Sequence, residues 1–362
     1  MIRAVALRGG RSPARLGARA TGNLAKAKNE GSSKVLALTR DDVRRLVPMT
    51  DAIALMKQAF AQLSAGRTDS PLRTVIPVPS EDADALFMPG SVPAMNALGV
   101  KIVSVFKKNP ARGLPVIHAL VCLLDGETGQ PLAIMDGTYL TALRTGAVSG
   151  AATDLLARPE SKTLVAIGSG AQGATQIAAV CAVRPITRVI AVDVNQDALD
   201  RFRVTMERDW PDIANLIETS TDAKSVAEAD VICTATTSRT PVFDDRDVGP
   251  GTHVNAVGAY TPEMQELPAG FVARATVIVD AVDAALAEAG DLIVPLRDGL
   301  VARDHFAREL GMIVAGTASG RTKDDEVTLF KSVGNAVQDV VVARAAVDRG
   351  LAESVGTTLD LG

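Results

Sequence analysis

The sequence predicts an α/β protein in which a parallel-sheet domain is inserted into a discontinuous α+β domain. Two helical patterns and a series of short extended segments occupy the first third of its 362 residues. From residue 162 to about residue 315, apolar strands alternate with helices, which is typical of parallel strands joined by crossover helices. The last long pattern, residues 328–349, predicts one helix that returns to the first domain. The predicted domains are therefore residues 35–150 with 320–362, and residues 151–319.

The elements of the first third follow from capping residues, apolar spacing and turns. Thr39 is expected to cap a first helix, and a second is predicted over residues 50–65, where apolar side chains recur at helical spacing. Extended segments are predicted at residues 73–78, 85–88, 100–106, 117–124 and 131–135, and the turn between the last two favours a hairpin. Residues 138–156 predict a helix whose small side chains allow close packing against a neighbour.

A glycine-rich turn gives the inserted domain its most specific signal. The apolar strand predicted at residues 163–167 runs directly into Gly168-x-Gly170-x-x-Gly173 and then into a helix. Gly168 permits the tight turn, Gly170 lets the backbone approach a pyrophosphate, and Gly173 lets helix and strand pack closely. Ala171 and Gln172 complete this turn, whose amide groups and helix dipole would face the phosphates. The pattern predicts a Rossmann dinucleotide-binding domain, and a purely structural glycine turn is the alternative.

Asp193 predicts which dinucleotide is bound. It ends the strand predicted at residues 188–192, about 20 residues beyond the glycines, where a carboxylate accepts hydrogen bonds from an adenosine ribose. Because a carboxylate repels a 2′-phosphate, we expect NAD as the cofactor, with NADH preferred over NADPH. The alternative is that Asp193 caps the next helix, which is expected to begin near Asp197.

Three more strands are predicted in this domain, at residues 231–235, 253–257 and 276–280. Their carboxyl ends lie at the edge of the sheet where such folds bind ligands. The first two strands therefore bring six further candidate cofactor-binding residues to this edge: Thr234, Ala235, Thr236, Val257, Gly258 and Ala259.

The composition excludes several classes of function. With 47% hydrophobic and 22% charged residues the chain has a globular composition, and no apolar run approaches the ~20 residues of a membrane helix. Only 3% of residues are aromatic, which argues against a base-stacking surface. Cys122, Cys181 and Cys233 are too dispersed for a disulfide framework, and no metal-ligand spacing appears. We expect no metal, no membrane and no nucleic-acid partner.

The charge is concentrated at the N-terminus. Residues 1–34 contain eight of the 38 Lys and Arg residues and one of the 42 acidic residues, which leaves 30 basic and 41 acidic residues in the remainder. A body of this charge repels nucleic acid. Residues 1–34 are interpreted as a leader, either a transit peptide or a disordered extension. The expected location is the cytoplasm, or an organellar matrix if the leader is a transit peptide.

Several motifs together resemble the ornithine cyclodeaminase/mu-crystallin family over residues 35–350. The motifs are Thr141-Ala-Leu-Arg-Thr145, Ile167-Gly-Ser-Gly-Ala-Gln172, Val257-Gly-Ala-Tyr-Thr-Pro262, Glu288-Ala-Gly-Asp-Leu292 and Leu329-Phe-Lys-Ser-Val-Gly334. The resemblance implies that the discontinuous domain binds substrate and forms a homodimer through β-structure completed by both subunits. It also implies that Gly334 belongs to the segment that covers the cofactor ring. Glu288 and Asp291 match the family without an evident physical role.

Three cations resemble the substrate-binding set of this family: Arg73, Lys101 and Arg144. An amino or imino acid offers a carboxylate that Arg can clamp bidentately, while Lys adds a movable charge and donor. Lys101 is the candidate catalytic residue, since a buried lysine with a lowered pKa can act as an acid. For each of the three, a solvated surface cation is the alternative.

Two departures from the family pattern favour reduction over cyclodeamination. Ornithine cyclodeaminases resemble this chain but have carboxylates where it has Leu86 and Tyr260. A distal ammonium would therefore meet neither a base nor a counter-charge at these positions. We expect hydride transfer from NADH to a small cyclic imine such as Δ1-pyrroline-2-carboxylate, giving L-proline. The alternatives are a cyclodeaminase with catalytic NAD, an alanine dehydrogenase, and a non-enzymatic mu-crystallin-like protein that binds a small ligand.

Overall fold

The computed structural model describes residues 34–362, so the predicted leader lies outside the described residues except for Lys34. The first part of the chain consists of β1 (Lys34–Leu38), α1 (Arg40–Leu46), α2 (Met49–Ser64), β2 (Thr74–Val78), β3 (Ala83–Val92), β4 (Ala97–Phe106), β5 (Ile117–Leu124), β6 (Pro131–Asp136) and α3 (Gly137–Leu156). The predicted cap of the first helix is confirmed, because Thr39 and Asp42 form a reciprocal capping box.

The second part of the chain has the predicted alternation of strands and helices. It consists of β7 (Thr163–Ile167), α4 (Gly173–Val183), β8 (Arg188–Val192), α5 (Gln196–Asp209), α6 (Pro211–Ala214), β9 (Ile217–Ser220), β10 (Val231–Thr234), β11 (His253–Ala256), α7 (Ala269–Arg274), β12 (Thr276–Val279), α8 (Val282–Glu288), α9 (Gly290–Arg297), α10 (Leu310–Val314), β13 (Thr328–Lys331), α11 (Ala336–Glu353) and β14 (Thr357–Asp360). Among the helices of residues 34–362, none is both long and apolar enough to cross a bilayer.

The strands of residues 34–362 form two seven-stranded sheets. The mixed sheet has the order β14-β1-β6-β5-β4-β3-β2, with every pair antiparallel except β1 and β6. The parallel sheet has the order β12-β13-β11-β10-β7-β8-β9. Its arrangement on both sides of β7 reproduces the order of the Rossmann fold, with β13 added between β11 and β12. The predicted fold class is confirmed.

The helix predicted from residue 328 is wrong in its first part. Thr328–Lys331 is a fully buried strand between two parallel neighbours, and α11 begins only at Ala336. A short apolar run has the same appearance in a buried strand and in a buried helix, so periodicity could not separate them. The parallel sheet therefore extends past residue 319, which is the domain boundary predicted from the sequence. The boundary at residue 150 falls inside α3.

Three other strands, β1, β9 and β14, are absent from the sequence prediction, and β3 is longer than its predicted range. β3 continues through Pro89 and Gly90, two residues that usually interrupt a strand. Gly90 is required here because a Cβ atom would lie 2.9 Å from the Cβ atom of Ala336. α11 can therefore pack against the mixed sheet.

Helix α3 packs closely against a neighbouring helix, as its small residues predict. A Cβ atom on Gly146 would lie 2.4 Å from the carbonyl oxygen of Thr175, so α3 and α4 are in close contact. Near the end of α3, Thr153 Oγ1 accepts a hydrogen bond of 2.9 Å from Asn255 Nδ2 in the parallel sheet. Helix α3 is thus held against α4, the helix that follows the glycine turn.

Candidate active site

A cleft lies between the mixed sheet and the carboxyl edge of the parallel sheet, and the three predicted substrate-binding cations line it. Arg73, Lys101 and Arg144 share this cleft with Gln172 and Gly334. The other lining residues are mainly apolar: Leu86, Met88, Val103, Val105, Ile117, Thr141, Thr145, Val257, Tyr260, Ser332 and Val333. Within residues 34–362, no Asp or Glu side chain lines the cleft. Leu86 and Tyr260 lie in the cleft, as the sequence comparison with cyclodeaminases requires.

Strand β4 and one carboxylate hold Lys101 at the cleft. Side chains alternate along β4, so Lys101, Val103 and Val105 share one face of the mixed sheet. The residue is 1% exposed, and its Nζ atom lies 2.9 Å from Oδ2 of Asp339. Burial lowers the pKa of Lys101 to about 7, with a further decrease from Arg144 that Asp339 partly opposes. The lowered pKa supports the role of an acid near neutral pH.

Arg144 projects from α3 to the same carboxylate. Its Nε atom donates to Oδ1 of Asp339 at 2.9 Å, and its Nη1 atom donates to Oε1 of Gln338 at 2.6 Å. Gly334, with a φ of +84°, lies against this guanidinium, since a Cβ atom there would be 2.8 Å from Nη1. Both Lys101 and Arg144 are buried, so the interpretation of either as a surface cation is wrong.

Arg73 is also withdrawn from solvent, with a side chain that is 12% exposed. Its Nη2 atom donates to Oε2 of Glu288 at 2.8 Å and to the carbonyl oxygens of Val333 and Gly334 at 2.9 and 3.0 Å. Burial raises the pKa of Glu288, and Arg73 opposes this increase. The structure thus gives Glu288 a partner that the sequence did not reveal.

Val333 and Gly334, whose carbonyl groups Arg73 contacts, are held by a carboxylate at the end of a strand of the parallel sheet. Asp280, directly after β12, accepts hydrogen bonds through Oδ2 from Ser332 Oγ at 2.7 Å and from the backbone N–H groups of Val333 and Gly334 at 2.9 Å. Residues 332–334 therefore join the Rossmann side of the molecule to Arg73 and Arg144.

The glycine turn fits a dinucleotide. Gly168 has a φ of +104°, and a Cβ atom there would lie 2.5 Å from the carbonyl oxygen of Ala235. A Cβ atom on Gly173 would lie 2.4 Å from the carbonyl oxygen of Gly168. In contrast, the space around Gly170 is open, and a surface pocket begins there. These are the properties that a close-packed turn open to a pyrophosphate requires.

Asp193 borders the same pocket, together with Ser169, Gly170 and Ala171. Its Oδ2 atom accepts from the N–H and hydroxyl groups of Ser169 at 2.9 and 2.7 Å. Partial burial would raise the pKa of Asp193, but these hydrogen bonds outweigh it and hold the pKa below its usual value. The next helix, α5, is capped by Asn195 instead, so the alternative role of Asp193 as its cap is wrong.

The ends of β10 and β11 are anchored to Glu266, a buried residue that the sequence did not single out. Glu266 accepts from the N–H and hydroxyl groups of Thr236 through Oε1, at 2.7 and 2.9 Å. Through Oε2 it accepts from the N–H groups of Gly258 and Ala259, at 2.7 and 3.1 Å. These N–H groups are directed inward, so a cofactor would contact other atoms of the two loops.

Glu266 belongs to a buried charge cluster with Asp291 and Lys331. Asp291 accepts from the N–H groups of Glu266 and Leu267, and its Oδ2 atom lies 2.9 Å from Lys331 Nζ. Burial raises the pKa of Glu266, and Lys331 opposes this increase. Asp291 and Lys331 stand in family motifs, but nothing in a single sequence pairs them.

Three of the buried polar atoms without a partner in residues 34–362 lie at the cleft or at the end of a neighbouring strand, where a ligand could pair with them. Gln172 Oε1 and Thr141 Oγ1 line the cleft and have no hydrogen-bond partner within the described residues, and neither has Thr234 Oγ1 at the end of β10. Buried groups of this kind normally have partners.

Across residues 34–362, no group of three His, Cys, Asp or Glu side chains could hold a metal ion.

A Rossmann sheet with an open glycine turn, beside a cleft lined by cations, defines a dinucleotide-dependent oxidoreductase of small acids. The chain belongs to the ornithine cyclodeaminase/mu-crystallin family, whose model matches residues 33–354.

Individual relatives narrow this class. The chain is 41% identical over 326 residues to a Δ1-pyrroline-2-carboxylate reductase of Bacillus cereus, covering 89% of this chain and 99% of the relative. Its fold is similar to that of Thermococcus litoralis Δ1-pyrroline-2-carboxylate reductase in complex with NADH and L-proline, with a TM-score of 0.85, 38% identity, and coverage of 90% and 100%. It is also similar to an archaeal alanine dehydrogenase dimer with bound NAD, with a TM-score of 0.82, 34% identity, and coverage of 91% and 100%. The nicotinamide cofactors of these relatives support the predicted NAD(H) cofactor.

Proposed function

We propose that this chain is an NADH-dependent Δ1-pyrroline-2-carboxylate reductase that forms L-proline. The observation that carries the proposal is a cleft with three cations, an apolar wall and no acidic lining residue among residues 34–362, beside a dinucleotide-binding turn. A small planar acid with an uncharged ring matches this distribution of charge. The relatives with the same activity and a similar fold support the assignment.

The two arginines hold the carboxylate of the imine. Arg144 uses Nε and Nη1 for Asp339 and Gln338, which leaves Nη2 for the substrate. Arg73 is fixed through one nitrogen, Nη2, so its remaining donors can reach the same carboxylate. Charge-assisted hydrogen bonds from planar guanidinium groups set both the position and the orientation of a carboxylate. Leu86, Val103 and Tyr260 then surround the ring.

Lys101 supplies the proton. When bound, NADH supplies the hydride that reduces the imine carbon. One hydride at carbon and one proton at nitrogen convert the C=N bond into CH–NH, and Lys101 donates the proton to nitrogen. Its pKa of about 7 allows both donation and reprotonation near neutral pH.

The test is a comparison of three reactions with one preparation of the protein. With Δ1-pyrroline-2-carboxylate and NADH, we expect proline and NAD in equal amounts, measured by NADH absorbance and by amino-acid analysis. Pyruvate with ammonia tests alanine dehydrogenase activity, and ornithine with catalytic NAD tests ammonia release. Turnover of ornithine without net NADH change, or no turnover of the imine at micromolar enzyme, would overturn the proposal.

The preference for NADH is assigned to Asp193. Its carboxylate, already fixed by Ser169, can accept from a ribose hydroxyl and repels a 2′-phosphate. Asp193→Ser should reduce the ratio of kcat/KM for NADH to that for NADPH about tenfold, which corresponds to about 1.4 kcal/mol of differential binding. Asp197→Ser, in the first turn of α5, is the matched control and should leave the ratio unchanged. A wild-type protein that prefers NADPH tenfold would refute the assignment.

We further infer a homodimer formed through the mixed sheet. The face opposite Lys101 carries apolar residues, including Phe87, Ile102 and Leu120, which lie in one row across β3, β4 and β5. Leu120 is 40% exposed, and Ile76 on β2, the strand next to β3, is 51% exposed. Exposed apolar faces of this kind mark interfaces, and one solved relative is described as a dimer. Light scattering should give twice the chain mass, and Leu120→Glu should yield monomers.

The cytoplasmic location stays a prediction.

A further inference from the structure

Asp339 is a fully buried carboxylate that does not line the cleft but contacts two residues that do. Oδ1 lies 2.9 Å from Arg144 Nε, and Oδ2 lies 2.9 Å from Lys101 Nζ. Asp339 itself is 0% exposed. Sequence reasoning does not select it, because a carboxylate in the first turn of a helix is common at the surface.

The position of Asp339 is fixed by the start of α11. Asn335 caps this helix in a reciprocal capping box with Gln338, whose Oε1 atom also accepts from Arg144. The helix dipole favours a negative charge in this first turn. Asp339 is therefore a preorganised carboxylate, held by the start of the helix and by its contacts with Lys101 and Arg144.

The charges around Lys101 show what this anion does. Arg144 and Arg73 both lower the pKa of Lys101, and Asp339 is the group that raises it. Without Asp339, two buried cations would be adjacent with no counter-ion, and Lys101 would release its proton at a lower pH. With Asp339, the two cations and the single anion leave an excess of positive charge, which still attracts the carboxylate of a substrate.

We propose that Asp339 is a positioning residue, whose two oxygens fix Lys101 and Arg144 at the cleft and keep Lys101 protonated for the reaction. This inference rests on the proposed reductase function in one respect, which is that Lys101 donates the proton in that reaction.

The main test is Asp339→Asn, which preserves shape and removes charge. We expect kcat/KM for the imine to fall about 100-fold. If Lys101 is the proton donor, activity is lost as pH rises through its pKa. The alkaline limb of the kcat/KM profile should therefore move about one pH unit lower in this variant. The affinity for NADH, measured by fluorescence, should remain within about twofold, because Asp339 does not line the dinucleotide pocket.

The matched control is Asp348→Asn, on the same helix. Asp348 pairs with Arg344 at 2.7 Å and is remote from the cleft lining, so its loss should leave the pH profile in place. Asp339→Glu retains the charge but displaces it, so we expect about a tenfold lower kcat/KM with the alkaline limb near its wild-type position. If Asp339→Asn does not fold, a wild-type kcat/KM in Asp339→Glu would overturn the proposal.

A second readout does not depend on turnover. Lysine labelled with ¹³C at Cε reports the titration of Lys101 by NMR, with Lys101→Met identifying its signal. The midpoint should fall in Asp339→Asn and stay near wild type in Asp348→Asn. An unchanged midpoint in Asp339→Asn overturns the role of Asp339, whereas a lowered midpoint in a protein that does not reduce the imine overturns only the reductase assignment.

Discussion

Two clusters of buried charge lie near the candidate active site, and they differ in composition and in access. The cleft cluster consists of Lys101, Arg144 and Asp339, two cations and one anion, and its cations line the cleft. The sealed cluster consists of Glu266, Asp291 and Lys331, two anions and one cation, and all three residues are 0% exposed.

The two clusters differ in how their charged groups are paired. In the sealed cluster, six hydrogen bonds from backbone and hydroxyl donors reach both oxygens of Glu266 and Oδ1 of Asp291, while Oδ2 of Asp291 is paired with Lys331. In the cleft cluster, one carboxylate is shared by two cations, and the excess positive charge faces the cleft. Both clusters bury one unit of net charge, which is costly, but only the cleft cluster exposes its charged groups to a cleft, as is typical of functional sites.

The largest effect that this comparison predicts is on turnover. Lys101→Met removes the proton donor, so kcat/KM for the imine should fall about 1000-fold. The free energy of unfolding should change little, because a buried cation in an electropositive site is replaced by an apolar side chain of similar length. Activity assays and urea unfolding measure the two quantities. A loss below tenfold would show that Lys101 is not the acid.

The second effect is on stability, in the sealed cluster. Glu266→Gln replaces one carboxylate oxygen, which accepts two of the four hydrogen bonds of Glu266, by an amide donor, and it also removes a negative charge near Lys331, so the free energy of unfolding should fall by about 3 kcal/mol. Urea unfolding at neutral pH measures it, with Glu263→Gln on the exposed part of the same loop as the control. Unchanged stability together with a 1000-fold loss of turnover would reverse the distinction between the clusters.

The smallest expected effect is on the pH dependence of stability, and it arises from His253, a buried uncharged side chain outside both clusters. His253 is fully buried, with Nδ1 2.9 Å from Thr328 Oγ1 and Nε2 3.1 Å from Asn255 Oδ1. Burial lowers its pKa to about 3. The unfolded chain binds a proton near pH 6.5, so stability is full above that pH and is lost as pH falls toward the folded pKa.

At pH 5 the loss from His253 should be about 2 kcal/mol. His253→Asn should therefore show a flatter decrease of unfolding free energy between pH 6.5 and pH 5, measured by urea unfolding at each pH. His118→Asn, on an exposed strand position, is the control. Parallel curves for wild type and His253→Asn would contradict the assignment.

The sequence predicted the local features of the site and missed those that depend on long-range pairing. The structure places Lys101 and Arg144 at the cleft and Gly168 and Asp193 at the glycine turn, where spacing and family motifs predict them. Asp339 was missed because it lies 195 residues from the arginine that it pairs with, and no local pattern connects them. Glu266 was missed although its partners lie only 7 to 30 residues away, because a single acidic residue in a loop carries no spacing signal. The prediction of helix at β13 was wrong because its four residues fit either structure.

The hydrogen bonds between Asp280 and residues 332–334 have a consequence for protein engineering. The backbone that supports Arg73 and Arg144 is itself supported by the parallel sheet. A chimera that exchanges only residues 151–319 between relatives would separate Asp280 from the segment that it holds. A transplant that retains the substrate geometry has to carry β13 and the following turn with it, and the second crossover belongs immediately before Ala336.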